Sequence, residues 1–234
     1  MTVSVQVWDL PLRLFHWLLA AAVAGAIITG EIGGGLMDWH GRIGVLILGL
    51  LVFRVIWGFA GTPHARFGSF IPTPAKIAAY RKGQWQGHGH NPFGALAVFA
   101  LLGILAALVG LGLFANDDIA FHGPLFELVD KSASDSLTGW HARIFNILAV
   151  LIGLHLAAIV FYVRVKKQNL VIPMLTGRKI VPKDQPVQAA RLSVLRSVAV
   201  LAIAVAAAWT VGSGVLLPHP PPAAVAPAAA TPSW

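Results

Sequence analysis

Five apolar runs, at roughly 11–30, 40–60, 93–114, 139–162 and 192–212, decide what this chain can fold into. Each has the length, about 20 residues, that a helix needs to cross the hydrocarbon core of a bilayer. A segment in lipid must satisfy its backbone hydrogen bonds internally, so the expected fold is an all-α integral membrane helical bundle. Composition agrees: 57% of the 234 residues are hydrophobic and only 11% charged, far from a water-soluble domain. The first run carries Arg13 and His16 and ends in Ile-Thr-Gly-Glu with no small-x-small cleavage site, so it is read as a retained helix and not a leader.

The chain has no cysteine, which excludes thiolate-held iron–sulfur clusters, thioether-attached haem, disulfides and Cys-type zinc sites. The net charge of +8 is informative through its distribution. Arg66, Lys76, Arg81 and Lys82 join the second and third runs, and Arg164, Lys166, Lys167, Arg178, Lys179, Lys183 and Arg191 join the fourth and fifth. The remaining connections hold Glu31, Asp38, Asp117, Asp118, Glu127, Asp130 and Asp135 against Lys131. By the positive-inside rule the N-terminus is cytoplasmic and the Pro/Ala-rich C-terminus lies outside. The basic charge is a topology signal, and no nucleic-acid partner is expected. The loop 61–92 should hold one short surface helix near 74–82, and residues 218–234 form a flexible, uncharged tail.

Four of nine histidines, His16, His40, His141 and His155, lie in or at the mouths of apolar runs, where an ionisable group is costly and points to function. His40 and His141 sit in near-copies of one motif, Asp-Trp-His-Gly-Arg-Ile and Gly-Trp-His-Ala-Arg-Ile. His155 follows His141 by 14 residues, within about 40° of the same helix face and about 21 Å further along the axis. Following the helices through the bilayer pairs His40 with His141 at an outer level and His16 with His155 at an inner one. Two opposed imidazoles at each of two depths are what two bis-histidine b haems require.

Haem propionates need positive partners in a low-dielectric site. Arg42 and Arg143, two residues after the outer histidines, are candidates at the outer level. Arg54, 14 residues after His40 within an apolar stretch, and Arg13, three before His16, are candidates at the inner one. Trp39 and Trp140 belong to an interfacial aromatic belt and are placed to flank the outer cofactor. Glycines 25, 44, 103, 110 and 153 offer room for close helix approach. His88 and His90 form an H-x-H in a basic loop, read as solvated. His64 and His122, just beyond helix ends, are each placed to meet a quinone headgroup or a partner, and His219 lies in the tail.

The stretches RLFHWL, DWHGRIGVLILGLLVFRVIWGF and GWHARIFNILAVLIGLHLAAIVFY resemble the bacterial cytochrome b561 family and the b-type cytochrome subunits of nickel–iron hydrogenases. The resemblance covers about residues 7–180. It implies a four-helix core over 1–180 with two b haems on His16, His40, His141 and His155, and residence in the bacterial inner membrane; the linker and fifth helix over 181–217, with the tail, lie beyond the four-helix pattern as a docking helix or a lineage decoration. It also implies electron relay between a quinone, ubiquinone or menaquinone, and a periplasmic redox partner such as a cytochrome c or an oxidoreductase subunit; a homodimer is left open. The acidic outer connections favour a basic partner. Two other functions fit the same residues. One is superoxide oxidation at the outer face, with Arg42, Arg143 and Lys131 attracting the anion and quinone accepting the electrons. The other is ion or metal transport along the histidines, although Gly/Pro-broken helices and buried carboxylates are missing.

Overall fold

The computed structural model describes residues 1–85, 87, 89–182 and 192–218; His88, Lys183, Arg191, His219 and the tail beyond 218 lie outside them. All five apolar runs are helices long enough to span a membrane: α1 (Leu10–Ile32), α2 (Met37–Ala60), α5 (Pro92–Gly112), α6 (Lys131–Arg164) and α8 (Val194–Gly212). Between them lie the short helices α3 (Phe67–Phe70), α4 (Pro74–Arg81) and α7 (Val171–Thr176). α4 occupies the expected position near 74–82, opened by Thr73, whose hydroxyl accepts from Lys76 N, and by Pro74 in the first turn.

Local chemistry sets the helix ends. Asp9 caps α1 by accepting from Leu12 N at 2.7 Å, Asn91 caps α5 by accepting from Gly94 N at 2.7 Å, and Asp130 caps α6 by accepting from Ala133 N at 2.8 Å. α1 stops at Gly33, whose φ of +67° suits a residue without Cβ. α6 begins eight residues before the apolar run does. Its first turns are polar and bond to the preceding loop: Asn116 Nδ2 donates to Ser134 Oγ at 2.6 Å and to Asp135 Oδ1 at 2.9 Å, and Ser134 Oγ donates to the Phe114 carbonyl. The 34-residue helix therefore overshoots a bilayer, and His141 sits a third of the way along it, not at its start.

α1 packs on α2 and α5 on α6, and α2 joins the two hairpins through α5. Ala22, Val23, Ile47, Leu51, Leu105, Leu108, Val109 and Leu148, from all four helices, form the central core. α8 lies against the other side of α2, with Val200 and Ala204 meeting Phe53 and Trp57 in a second cluster. Small residues permit that approach: a Cβ at Gly49 would stand 3.1 Å from Ala208 Cβ, and one at Gly212 3.1 Å from Val45 Cγ1.

Strand β1 (Thr2–Gln6) pairs antiparallel with β2 (Arg178–Pro182), in a register that sets Thr2 opposite Pro182 and Gln6 opposite Arg178. Val7 N and Trp8 N both donate to the Gly177 carbonyl, tying the N-terminus to the end of α7. Asp9, fully buried beside this join, also accepts from Trp57 Nε1 at 3.0 Å and Thr62 Oγ1 at 2.6 Å, so one carboxylate fastens α1 to the end of α2.

Candidate functional site

The connections 33–36 and 113–130 mark an acidic end of the bundle, and those carrying α3, α4 and α7 a basic end. Near the acidic end, α1, α2, α5 and α6 enclose a cavity of about 560 Å³, within the range of cofactor pockets. His40 and His141 face each other across it with ring centroids 6.0 Å apart. A metal–imidazole nitrogen bond is about 2 Å, so two imidazoles opposed across one metal ion place their centroids roughly 6 Å apart.

Each imidazole is held by the first helix of its own hairpin. His40 Nδ1 bonds the Ala26 carbonyl of α1 at 2.9 Å, and His141 Nδ1 bonds the Leu108 carbonyl of α5 at 2.9 Å. With a carbonyl as acceptor, Nδ1 carries the proton, and Nε2 is left as the lone-pair nitrogen. Four residues beyond each carbonyl stands a glycine that makes room for the ring. A Cβ at Gly30 would come within 2.9 Å of His40 Nδ1, and one at Gly112 within 3.1 Å of His141 Cε1. The five glycines expected to give helices room are different ones. Of these, Gly25 would meet Ile43 Cδ1 at 3.3 Å, while Gly44, Gly103, Gly110 and Gly153 meet nothing within 4 Å.

The repeated arginines do the same thing in both hairpins. Arg42 lies over the Trp39 ring and Arg143 over the Trp140 ring, each 5.2 Å from the centroid, and both tryptophans are more than half exposed. None of these four residues lines the outer cavity; Arg42 lines instead a groove between α1, α2 and α8. The acidic-end loop supplies Asp117 and Phe121 to the cavity wall, and a Cβ at Gly41 would collide with Phe121 at 2.7 Å. Asp117 holds this loop by accepting from the backbone amides of Ile119, Ala120 and Phe121, which keeps its carboxyl below the usual range. Lys131 is shared between Asp118 at 2.6 Å and Asp135 at 2.9 Å.

Toward the basic end, His16 on α1 and His155 on α6 stand within electrostatic range of each other. The buried side-chain atoms without a hydrogen-bond partner, among the described residues, are His16 Nδ1 and Arg13 Nε, one turn apart on α1. Arg13 Nη1 donates to the Leu175 carbonyl of α7. Arg54 is 98% buried in α2; its Nη1 donates to the Ala65 carbonyl at 3.2 Å and its Cζ lies 4.4 Å from the Phe67 ring centroid, with no carboxylate in contact among the described residues. Asp9, the acid nearest in its electrostatic effect, already accepts three hydrogen bonds.

His90 corrects the sequence reading. It is not on a solvated face: its ring lies 4.6 Å from Trp8 and 4.8 Å from Phe70. Burial, then Arg54, then His16 and His155, push its pKa down to about 3, so it is neutral at physiological pH. Only this three-dimensional placement reveals it, because its near neighbours come from α1, α2, α3 and α6.

These observations describe a multi-pass membrane bundle whose core holds one carbonyl-oriented pair of imidazoles and a second pair deeper in, and whose interior cation has, among the described residues, no carboxylate in contact, a fit for a metallated macrocycle bearing carboxylates. The chain belongs to the prokaryotic cytochrome b561 family, whose model matches residues 7–177. It is 28% identical over 232 residues to the "Probable Ni/Fe-hydrogenase B-type cytochrome subunit" of Azotobacter vinelandii, covering 78% of this chain and 91% of that one. The protein of the same name in Rhizobium leguminosarum bv. viciae is 24% identical (76% and 89% covered), and the "Probable Ni/Fe-hydrogenase 1 B-type cytochrome subunit" of Escherichia coli (strain K12) 25% identical (59% and 75%). No solved structure matches significantly. The protein is thus a membrane b-type cytochrome, an electron-transfer protein that carries haem b.

Proposed function

We propose that the chain holds two b haems, one on His40 and His141 and one on His16 and His155, and relays electrons between the quinone pool and a redox partner at the acidic end. The observation that carries this is the facing pair His40–His141, 6.0 Å apart in the wall of one cavity, with both Nδ1 atoms committed to carbonyls and both Nε2 atoms left as lone-pair nitrogens. A bound haem supplies a one-electron Fe(III)/Fe(II) couple. The residues do the rest. Ala26 and Leu108 fix the ring orientations and raise ligand basicity, and Gly30 and Gly112 admit the rings. Arg54 and Arg13 offer unspent guanidinium donors to inner propionates. Arg42 and Arg143, lying over Trp39 and Trp140 outside the cavity wall, would meet the outer propionates only where these emerge at the acidic end.

With the basic end cytoplasmic, the acidic end faces the periplasm, and the names of the relatives point to a hydrogenase catalytic module as the class of partner there. Superoxide oxidation has less support, since Lys131, one of the cations it would use, is already held by two carboxylates. The test is to purify the protein in mild detergent and count haem by pyridine haemochrome. Close to two low-spin b haems per chain are expected, falling to one when either member of a pair is replaced. Two haems surviving loss of both His40 and His141 would overturn the assignment.

A further inference from the structure

The cavity between His40 and His141 has a one-sided charge. Its wall draws on α1, α2, α5, α6 and the loop that follows α5. Besides the two histidines, the ionisable groups in that wall are both carboxylates: Glu31, exposed at the end of α1, and Asp117, in the loop. α5 adds apolar residues, and α6 adds Thr138 and Asn146 but, beyond His141, nothing ionisable. Among the described residues no lysine or arginine lines the cavity. Arg42 and Arg143 lie over Trp39 and Trp140 outside the wall, and Lys131 is shared between Asp118 and Asp135.

Asp117 is fixed in place and ionised. Its Oδ1 accepts from the backbone amides of Ile119 at 3.0 Å, Ala120 at 2.9 Å and Phe121 at 2.8 Å. The Ile119 amide first, then that of Phe121, hold its carboxyl below the usual range, so it is anionic at physiological pH. The same turn seats Phe121 against α2, where a Cβ at Gly41, next to His40, would lie 2.7 Å from its ring. The loop that closes the cavity therefore also delivers a negative charge to it.

The inner level has the opposite sign. Arg54 is 98% buried with no carboxylate in contact among the described residues, and Arg13 Nε is buried without a partner. A haem iron gains one negative charge on reduction, Fe(III) + e⁻ → Fe(II). A fixed carboxylate facing the same space opposes that gain, by an amount that falls with distance and with the access of water.

We infer that Asp117 and Glu31 hold down the midpoint potential of the couple at His40 and His141, acting on it through their charge without touching the iron. This rests on the two-haem reading proposed above.

The experiment is a mediated redox titration of full-length, haem-loaded protein in nanodiscs, followed by visible absorbance. The outer couple is identified as the component missing from His40→Ala. Asp117→Asn removes the charge but keeps an oxygen that can accept from the same three amides, and hydrogen exchange at 119–121 reports whether the loop is intact. Glu31→Gln is an independent variant on an exposed helix end. At a fixed poise, each should raise the ratio of reduced to oxidised outer haem about threefold and the double variant about tenfold, or about 59 mV for a one-electron couple. The inner couple and the haem count should stay unchanged. An unmoved outer midpoint in the double variant, with two haems bound and the loop still protected, would overturn the inference and leave Asp117 as a loop-holding residue only. A shift in Asp117→Asn alone, accompanied by fast exchange at 119–121, would overturn it too, because the loop and not the charge would then be the cause. Wild-type protein that titrates as a single haem would defeat the two-haem reading and the inference together.

Discussion

Substituting Gly30 and Gly112 by alanine tests the imidazole sockets without touching a histidine. A Cβ at position 30 would lie 2.9 Å from His40 Nδ1 and 3.0 Å from Cε1; at position 112 it would lie 3.1 Å from His141 Cε1 and 3.2 Å from Nδ1. Ordinary carbon contacts begin near 3.5 Å, so His40 must retreat by about 0.6 Å and His141 by about 0.4 Å. Functional constellations tolerate about 0.5 Å of displacement. Each ring is also pinned by a 2.9 Å bond to a carbonyl, which a retreat would stretch or tilt. Losing such an orienting contact typically costs about 10–100-fold in metal affinity, or about 1.4–2.7 kcal/mol. Gly30→Ala should therefore lose most of one haem and Gly112→Ala only part of it, with the second haem retained in both. Haem content and redox titration of each purified variant read the effect. Two full haems with wild-type potentials in Gly30→Ala would refute the role assigned to the sockets.

Three further outcomes are expected. Arg54→Gln removes a buried cation near His90, so redox titration should show one haem's midpoint potential falling by on the order of 50 mV while the other stays within error. Asp9→Ala removes a helix cap and leaves Trp57 Nε1 and Thr62 Oγ1 without their buried acceptor. Thermal unfolding in detergent should report a loss of about 3 kcal/mol. Asp117 has a carboxyl depressed first by the Ile119 amide, then by that of Phe121, so its support for the loop is complete above the unfolded value near 3.9 and is lost as pH falls through the lower folded value. Hydrogen exchange at 119–121 should stay slow from neutral pH to about pH 4, and become fast there in Asp117→Ala.

The helices and the four core histidines were legible because their signals are local or periodic. Twenty-residue apolar runs admit one structure in lipid, and an imidazole inside such a run is conspicuous against its neighbours. What escaped the sequence depends on contacts between distant segments. Gly30 and Gly112 look like any membrane-helix glycine until the ring opposite each is seen. His90 follows a Gly-rich stretch that reads as solvent-exposed, yet the loop folds it onto Trp8 and Phe70. Asp9 precedes an apolar run as an ordinary cap would, and only the fold brings Trp57 and Thr62 to its second oxygen. The Trp-His-x-Arg-Ile repeat is visible as a motif, but that each arginine lies over the tryptophan one turn back is visible only in the fold.

Each outer imidazole takes its carbonyl and its glycine from within one helical hairpin, His40 from α1 and His141 from α5. A hairpin is also the unit that can enter the bilayer during synthesis. The orienting bonds can thus form as soon as each hairpin is inserted, before the other half of the site exists. With a haem held as proposed, maturation would reduce to bringing two prepared halves together around the macrocycle, and the cofactor would be the clamp that selects the finished pairing of α1–α2 with α5–α6.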